Sequence, residues 1–316
     1  MFVGFFSFLF FYFCLLNNTY RNITKMSPVW NRLIRFIAAD SKVYYGEPII
    51  SGDSTVDNLF KADSLEAKIV TGDVFADDAV VTDQIVKVTK LLAPLSKEEI
   101  PIIKCVGLNY KAHIAEGGRT PPPYPSIFIK PTHSHAEAFE DIPIPKLAYE
   151  TLDYEGELTI VIGKTGKDIP IEKVGEYVAG YTVANDVSCR KWQRDPKYAG
   201  GVPQWCFSKG FDKFAPFGPA IVSNKILGDR PALDLKTIVN GEVRQSTNTS
   251  DLLFHVPEIV SFISQGTTLE KGTIIMTGTP AGVAMGMKTP LWLNNNDVVE
   301  VEVAQIGKIS NKMVHA

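Results

Sequence analysis

The stretch DYEGELTIVIGK, Asp153 to Lys164, sets Glu155 and Glu157 at the mouth of an otherwise apolar run, Leu158 to Ile162. The run reads as a strand. In a strand, residues i and i+2 lie about 6.6 Å apart and point to the same face, so both carboxylates look the same way. Two like charges placed side by side repel each other. A solvated strand edge is one account of such a pair, and a bound cation is the other. The choice depends on what fold surrounds the strand and on whether further oxygen ligands converge there.

Outward from this strand the chain reads as short β segments. After it come YVAGYTVANDV, AIVS, LDLKTIVNG, GTIIMTGTP and DVVEVEVAQIGKI; before it stands SIFIKP. Helical spacing is confined to Tyr110–Glu116, the IEKVGEY segment and SDLLFHVPEIVSFIS, whose apolar residues recur at three and four. Towards the N-terminus, RLIRFIAAD, KVYYGEPII, EAKIVTGD and QIVKVTKLLAPL are separated by Gly, Asp and Pro. They read as a small, mostly β domain over residues 26–98, joined by LSKEEIPIIKCVGLNY to a larger domain over 99–316. The fold class is α+β, dominated by sheets, with no internal repeat.

The chain has 316 residues, 45% hydrophobic and 21% charged, which is ordinary globular usage. A net charge of -3, with no dense Lys/Arg cluster, excludes the electrostatic footprint that nucleic acid requires. Cys14, Cys105, Cys189 and Cys206 are too scattered for a zinc site or a disulfide scaffold and fit a reducing compartment. Residues 1–25 stand apart. They open with the uncharged, apolar MFVGFFSFLFFYFCLL, too short for a membrane span but matching the core of a signal segment, without a basic start or a clear cleavage site. Met26 follows, just before SPVWNRLIRF, where the globular pattern begins. The first 25 residues are therefore a hydrophobic leader or an extension outside the fold. A cytoplasmic or mitochondrial enzyme is expected, with a secretory or membrane-anchored form left open by this segment.

A third acid, Asp186, ends the apolar run Tyr177–Val187. A buried acid needs a partner. Glu155, Glu157 and Asp186 from two strands, completed by water and substrate, form the open oxygen site expected for magnesium or manganese. Taken singly, Asp186 reads as a turn or cap residue. His113 and Glu116 form H-x-x-E, a spacing that puts both on one helix face, where a solvated surface pair is the simpler account. His133 and His135 lie in a polar loop and either touch substrate or lie in solvent; His255 reads as a packed residue.

GLNYKAHIAE, DYEGELTIVIGK, NDVSCRKWQ, FSKGFDKFAPFGP, VNGE and TGTPAGV occur in the order found in the fumarylacetoacetate hydrolase superfamily, which the chain resembles from Cys105 to the C-terminus. The small N-terminal domain resembles the branch that includes oxaloacetate tautomerases. The resemblance implies a mixed β-sandwich roll, a homodimer, and bound Mg2+, Mn2+ or Ca2+. It makes Glu155, Glu157 and Asp186 the metal ligands, and His113 with Glu116 a water-activating dyad. By the same resemblance Lys209 is the active-site lysine, which composition alone would leave at the surface. Gln193 fits a group that orients substrate or water, and Thr279 one that holds a carboxylate. Gly278 and Gly282 permit the tight loop around it.

Three functions follow from these readings. The first is metal-dependent hydrolysis of a C–C bond in an acylpyruvate-like or β-diketo acid, the metal chelating the 2-oxo acid and the dyad activating water. The second is decarboxylation or keto–enol tautomerisation of oxaloacetate at the same metal, without attacking water. The third is a metal-binding protein that has lost catalysis.

Overall fold

The computed structural model describes residues 28–52 and 54–316; the expected leader, residues 1–25, lies outside the described residues. An 11-stranded sheet dominates. Its centre is the strand Gly156–Ile162, buried along its whole length. Antiparallel Val178–Asn185 lies on one side and antiparallel Ile274–Met276 on the other. Beyond Ile274–Met276 the sheet continues through parallel Ile103–Gly107 to the edge strand Ser126–Lys130. A five-stranded sheet built on Asp234–Val239, Val298–Val303 and Gly307–His315 packs against this layer. The two layers approach so closely at Gly156 that an added Cβ would stand 2.1 Å from the Thr237 hydroxyl oxygen. Sheet on sheet, with side chains interdigitating between them, is the sandwich arrangement expected.

The first four strands, from Arg32 to Leu92, pair mainly with one another, Arg32–Ala38 bonding to both Val43–Pro48 and Val80–Leu92. They join the large sheet where Arg32 and Leu33 face Val222 and Ile221 of the strand Ala215–Ser223. Trp30 and Leu33 share one apolar cluster with Ile103 and Met276, so part of the core is common to both regions.

Several elements depart from the local pattern. IEKVGEY forms a 3-10 turn, Ile171–Glu176, not an α-helix. In SDLLFHVPEIVSFIS the helix starts only at Val256, because Pro257 fits a first helical turn and not a helix interior. DVVEVEVAQIGKI is two strands, Val298–Val303 and Gly307–His315, folded back around Gln305 at φ 68. His135 neither faces substrate nor lies in solvent; it is buried in a two-residue strand beside Ala215, edge-on to Phe217, while His133 is exposed.

Candidate active site

Backbone pairing brings the three acids together. Gly156 faces Asn185 across the antiparallel pair, and the Asp186 N–H donates to the Glu155 carbonyl at 2.9 Å. Glu155, Glu157 and Asp186 each place one carboxylate oxygen within 4.8 Å of the others, all three buried. The shared face read from the sequence is thus an inward face. Only hard carboxylate oxygens make up this donor set, which suits magnesium, manganese or calcium.

Three cations that the linear pattern did not place converge on these acids. Lys209, at the end of the short helix Trp205–Lys209, donates to Glu155 Oε2 at 2.8 Å, to Asp186 Oδ2 at 2.6 Å and to the Ser188 hydroxyl at 2.7 Å. Lys130 is fully buried and binds the other Asp186 oxygen and the Phe214 carbonyl, the latter at 2.6 Å. Arg190 reaches Glu155 Oε1 at 2.5 Å and Asp153 Oδ2 at 2.8 Å. Four buried carboxylates therefore face three buried cations, and the enclosure lacks one positive charge. Burial favours neutral forms, so an uncompensated charge here is costly. Burial pushes Glu155 up, but Lys209 and Arg190 override it and hold the carboxyl below its usual range. Glu157 goes the other way: burial, then the charges of Asp186 and Glu155, push it well above the usual carboxylate range. Its one hydrogen bond comes from the Gly278 N–H at 2.6 Å. A divalent cation held by Glu155, Glu157 and Asp186 would more than supply the missing charge, so the residues fit the group.

The catalytic-type polar residues line one open cavity that includes His113, Glu155, Arg190, Gln193, Lys209 and Thr279. His113 and Glu116 lie on the helix Lys111–Glu116, anchored by buried Ile114, and His113 Nδ1 stands 2.9 Å from Glu116 Oε2. A carboxylate only accepts, which assigns the proton to Nδ1 and leaves the Nε2 lone pair free. The Gly282 N–H donates to the other Glu116 oxygen at 3.0 Å. Burial raises Glu116, but these bonds outweigh it and keep the carboxyl below its ordinary range. Gly282 has φ +102 and no room for a side chain, since a Cβ would meet the Arg244 carbonyl at 2.1 Å. Gln193 Oε1 accepts from Arg190 at 3.0 Å, which leaves its NH2 as the donor half. The Thr279 hydroxyl donates to the Gly156 carbonyl and accepts from buried Gln245. All eight sequence-derived residues thus fall in or around one enclosure. Those missed, Lys130, Asp153, Ser188 and Arg190, had faint signals: Lys130 shares the period-two face of Phe128, and Arg190 precedes Gln193 by one helical turn.

Residues 102–314 match the family described as fumarylacetoacetate (FAA) hydrolase, C-terminal. The chain belongs to the fumarylacetoacetate hydrolase family. Among relatives in this family, a mitochondrial oxaloacetate tautomerase of Rattus norvegicus is 42% identical over 224 residues, covering 71% of this chain and 69% of its own. The caffeoylpyruvate hydrolase of Neonothopanus nambi is 37% identical over 297 residues, covering 90% of this chain and 94% of its own. The crystal structure of 2-hydroxyhepta-2,4-diene-1,7-dioate isomerase from Mycobacterium marinum superimposes with a TM-score of 0.72 at 32% identity, covering 90% of this chain and 98% of that one. The fold is therefore the α+β fold of the family.

Proposed function

We propose that the chain is a divalent-metal-dependent enzyme that hydrolyses a C–C bond in an acylpyruvate-like or β-diketo acid. The observation that carries this reading is the His113–Glu116 pair, whose imidazole shares the wall of one cavity with Glu155 of the carboxylate triad. A C–C hydrolase needs a base for water, whereas a tautomerase needs one for the proton on the carbon beside the keto group. When bound, the cation, Mg2+ first, polarises the keto oxygen of the 2-oxo acid and offsets negative charge on the leaving enolate. His113 Nε2 takes a proton from water while Glu116 holds the imidazolium that forms. Hydroxide adds to the distal carbonyl, the C–C bond breaks with its electrons passing to the pyruvate enolate, and His113 returns the proton to that carbon. Gln193, held by Arg190 through its oxygen, turns its NH2 towards the substrate carboxylate beside Thr279. Lys209 acts as a fixed positive charge, because its three N–H groups are already committed. Direct donation to the oxyanion requires it to release Ser188, its one neutral partner.

A second reading, oxaloacetate decarboxylation or keto–enol tautomerisation at the same site, is favoured by the 42% identity to the rat tautomerase. Loss of catalysis is the weakest reading, since every matched polar residue is present. The deciding experiment runs the protein from Met26 on acylpyruvates and on oxaloacetate, with magnesium or with EDTA. Metal-dependent release of pyruvate and a carboxylic acid, abolished in His113→Ala with magnesium binding kept, supports hydrolysis. Turnover of oxaloacetate alone, undiminished in His113→Ala, moves the assignment to the second reading.

The mitochondrial compartment belongs to the same proposal, on the strength of the rat relative's name and of three free cysteines among the described residues. No helix of the described residues is long and apolar enough to cross a membrane. A homodimer belongs to it too, and the edge strand Ser126–Lys130 with exposed Ile127 and Ile129 supports it. Sedimentation should give twice the chain mass, and a monomer at micromolar concentration would remove the dimer from the proposal.

A further inference from the structure

The 3-10 turn Ala284–Gly286 seats the Glu116 carboxylate. The Gly282 N–H just before it donates to Glu116 Oε1 at 3.0 Å, and a Cβ at Gly286 would stand 2.6 Å from each Glu116 oxygen. Such a turn begins with backbone N–H groups that find no partner inside it. Its N-cap is Val283, whose side chain cannot accept a hydrogen bond. The acceptor is Asp153, 131 residues before Ala284 in the chain: Oδ1 takes the Ala284 N–H at 2.8 Å and Oδ2 the Met285 N–H at 3.1 Å. The same carboxylate accepts from Arg190 Nε at 2.8 Å and from the Tyr154 N–H at 2.9 Å. Next to it, the Tyr154 hydroxyl donates to the Gly282 carbonyl at 2.8 Å. Asp153 is fully buried, behind the cavity wall that Arg190 and Met285 help to form, so each of these N–H groups left without it would lie buried and unpaired.

We infer that Asp153 is a positioning residue: with the Tyr154 hydroxyl it clamps the turn Ala284–Gly286 to Arg190, holding Glu116 against His113 and so keeping the imidazole proton on Nδ1. Arg190 in turn holds Glu155 and Gln193, so one carboxylate ties the triad side of the site to the dyad side. Four N–H donors converge on Asp153, and only a carboxylate accepts from all four. In asparagine, whichever way the amide is turned, its NH2 faces two of those donors. The consequence for water activation rests on the hydrolase reading, whereas the hold on Glu116 does not.

Imidazole 15N spectra of the protein from Met26, grown with 15N-labelled histidine, test the clamp without turnover, the His113 signals being identified by their loss in His113→Ala. The unmodified protein should carry the His113 proton on Nδ1. Glu116→Ala removes the partner of that proton and should shift population to the Nε2–H tautomer. Asp153→Asn should shift it the same way by at least half as much, and Tyr154→Phe, which removes only the bond to Gly282, by less. Leu65→Ala, a core truncation among the N-terminal strands, should leave the tautomer alone, so that lost stability by itself does not imitate the effect. A tautomer unchanged in Asp153→Asn, or in Tyr154→Phe where Asp153→Asn does not fold, would overturn the clamp and leave the dyad standing; no shift in Glu116→Ala would overturn both. On an acylpyruvate, kcat of Asp153→Asn should fall on the order of 10²-fold, the scale of a misplacement of about 1 Å. An unmodified protein that cleaves no acylpyruvate would remove the hydrolase reading, and the spectra would still decide the clamp.

Discussion

Lys209 carries its charge in a place where lysines are seldom found. Composition alone puts a lysine at the surface, yet this ammonium is buried between two carboxylates and a hydroxyl. Burial lowers its pKa, but Asp186 and Glu155 raise it further, so the group stays charged. Its work is electrostatic in that setting. Lys209→Met should lower kcat by on the order of 10²- to 10³-fold, the cost of removing one fixed charge from a developing oxyanion. Magnesium affinity should hold or rise, because Glu155 and Asp186 lose a competing cation. Turnover and calorimetric titration of the same variant check both statements; unchanged kcat would make Lys209 a structural counter-ion only.

At the scale of elements, the E-x-E strand acquires its function from register. Asp186 reaches the triad because Gly156 faces Asn185; a slip by one residue would turn every side chain of Val178–Asn185 to the opposite face. The small strand at His135 shows a different consequence of pairing. Packing beside Ala215 and Phe217 buries the imidazole, and that burial, aided by Lys213 and Arg35 against the pull of Glu137, lowers its pKa. A lowered folded pKa means that the unfolded chain binds the proton more readily. The stabilisation is therefore present above the unfolded value of about 6.5 and is lost as pH falls below it. The thermal midpoint should drop between pH 7 and pH 5 more steeply in the unmodified protein than in His135→Gln. Parallel profiles would show that His135 carries none of that slope.

For the whole molecule, the enclosure's missing positive charge couples metal binding to stability. A cation that binds only the folded chain stabilises it by about 2.7 kcal/mol at a hundredfold excess over Kd. Magnesium should accordingly raise the thermal midpoint and EDTA should reverse the rise. Glu155→Ala should abolish activity and the shift together, and a fully active, metal-responsive variant would remove Glu155 from the ligand set. The residues proposed for chemistry all fall between His113 and Thr279, within the proposed catalytic region 99–316. Residues 26–98 contribute to the core through Trp30 and Leu33.

The sequence by itself determined the sheet-dominated fold, the shared face of Glu155 and Glu157, and the helix that carries His113 and Glu116. These follow from periodicities of two and of three to four, which are local, and the ordered motifs of the family added Lys209, Gln193 and Thr279. The tertiary structure alone decided that Lys130, Arg190 and Asp153 join the same enclosure and that His135 is core. Each of those depends on pairing between segments tens of residues apart. Charge compensation in a buried site is a property of everything that surrounds it, and no short window of sequence contains that sum.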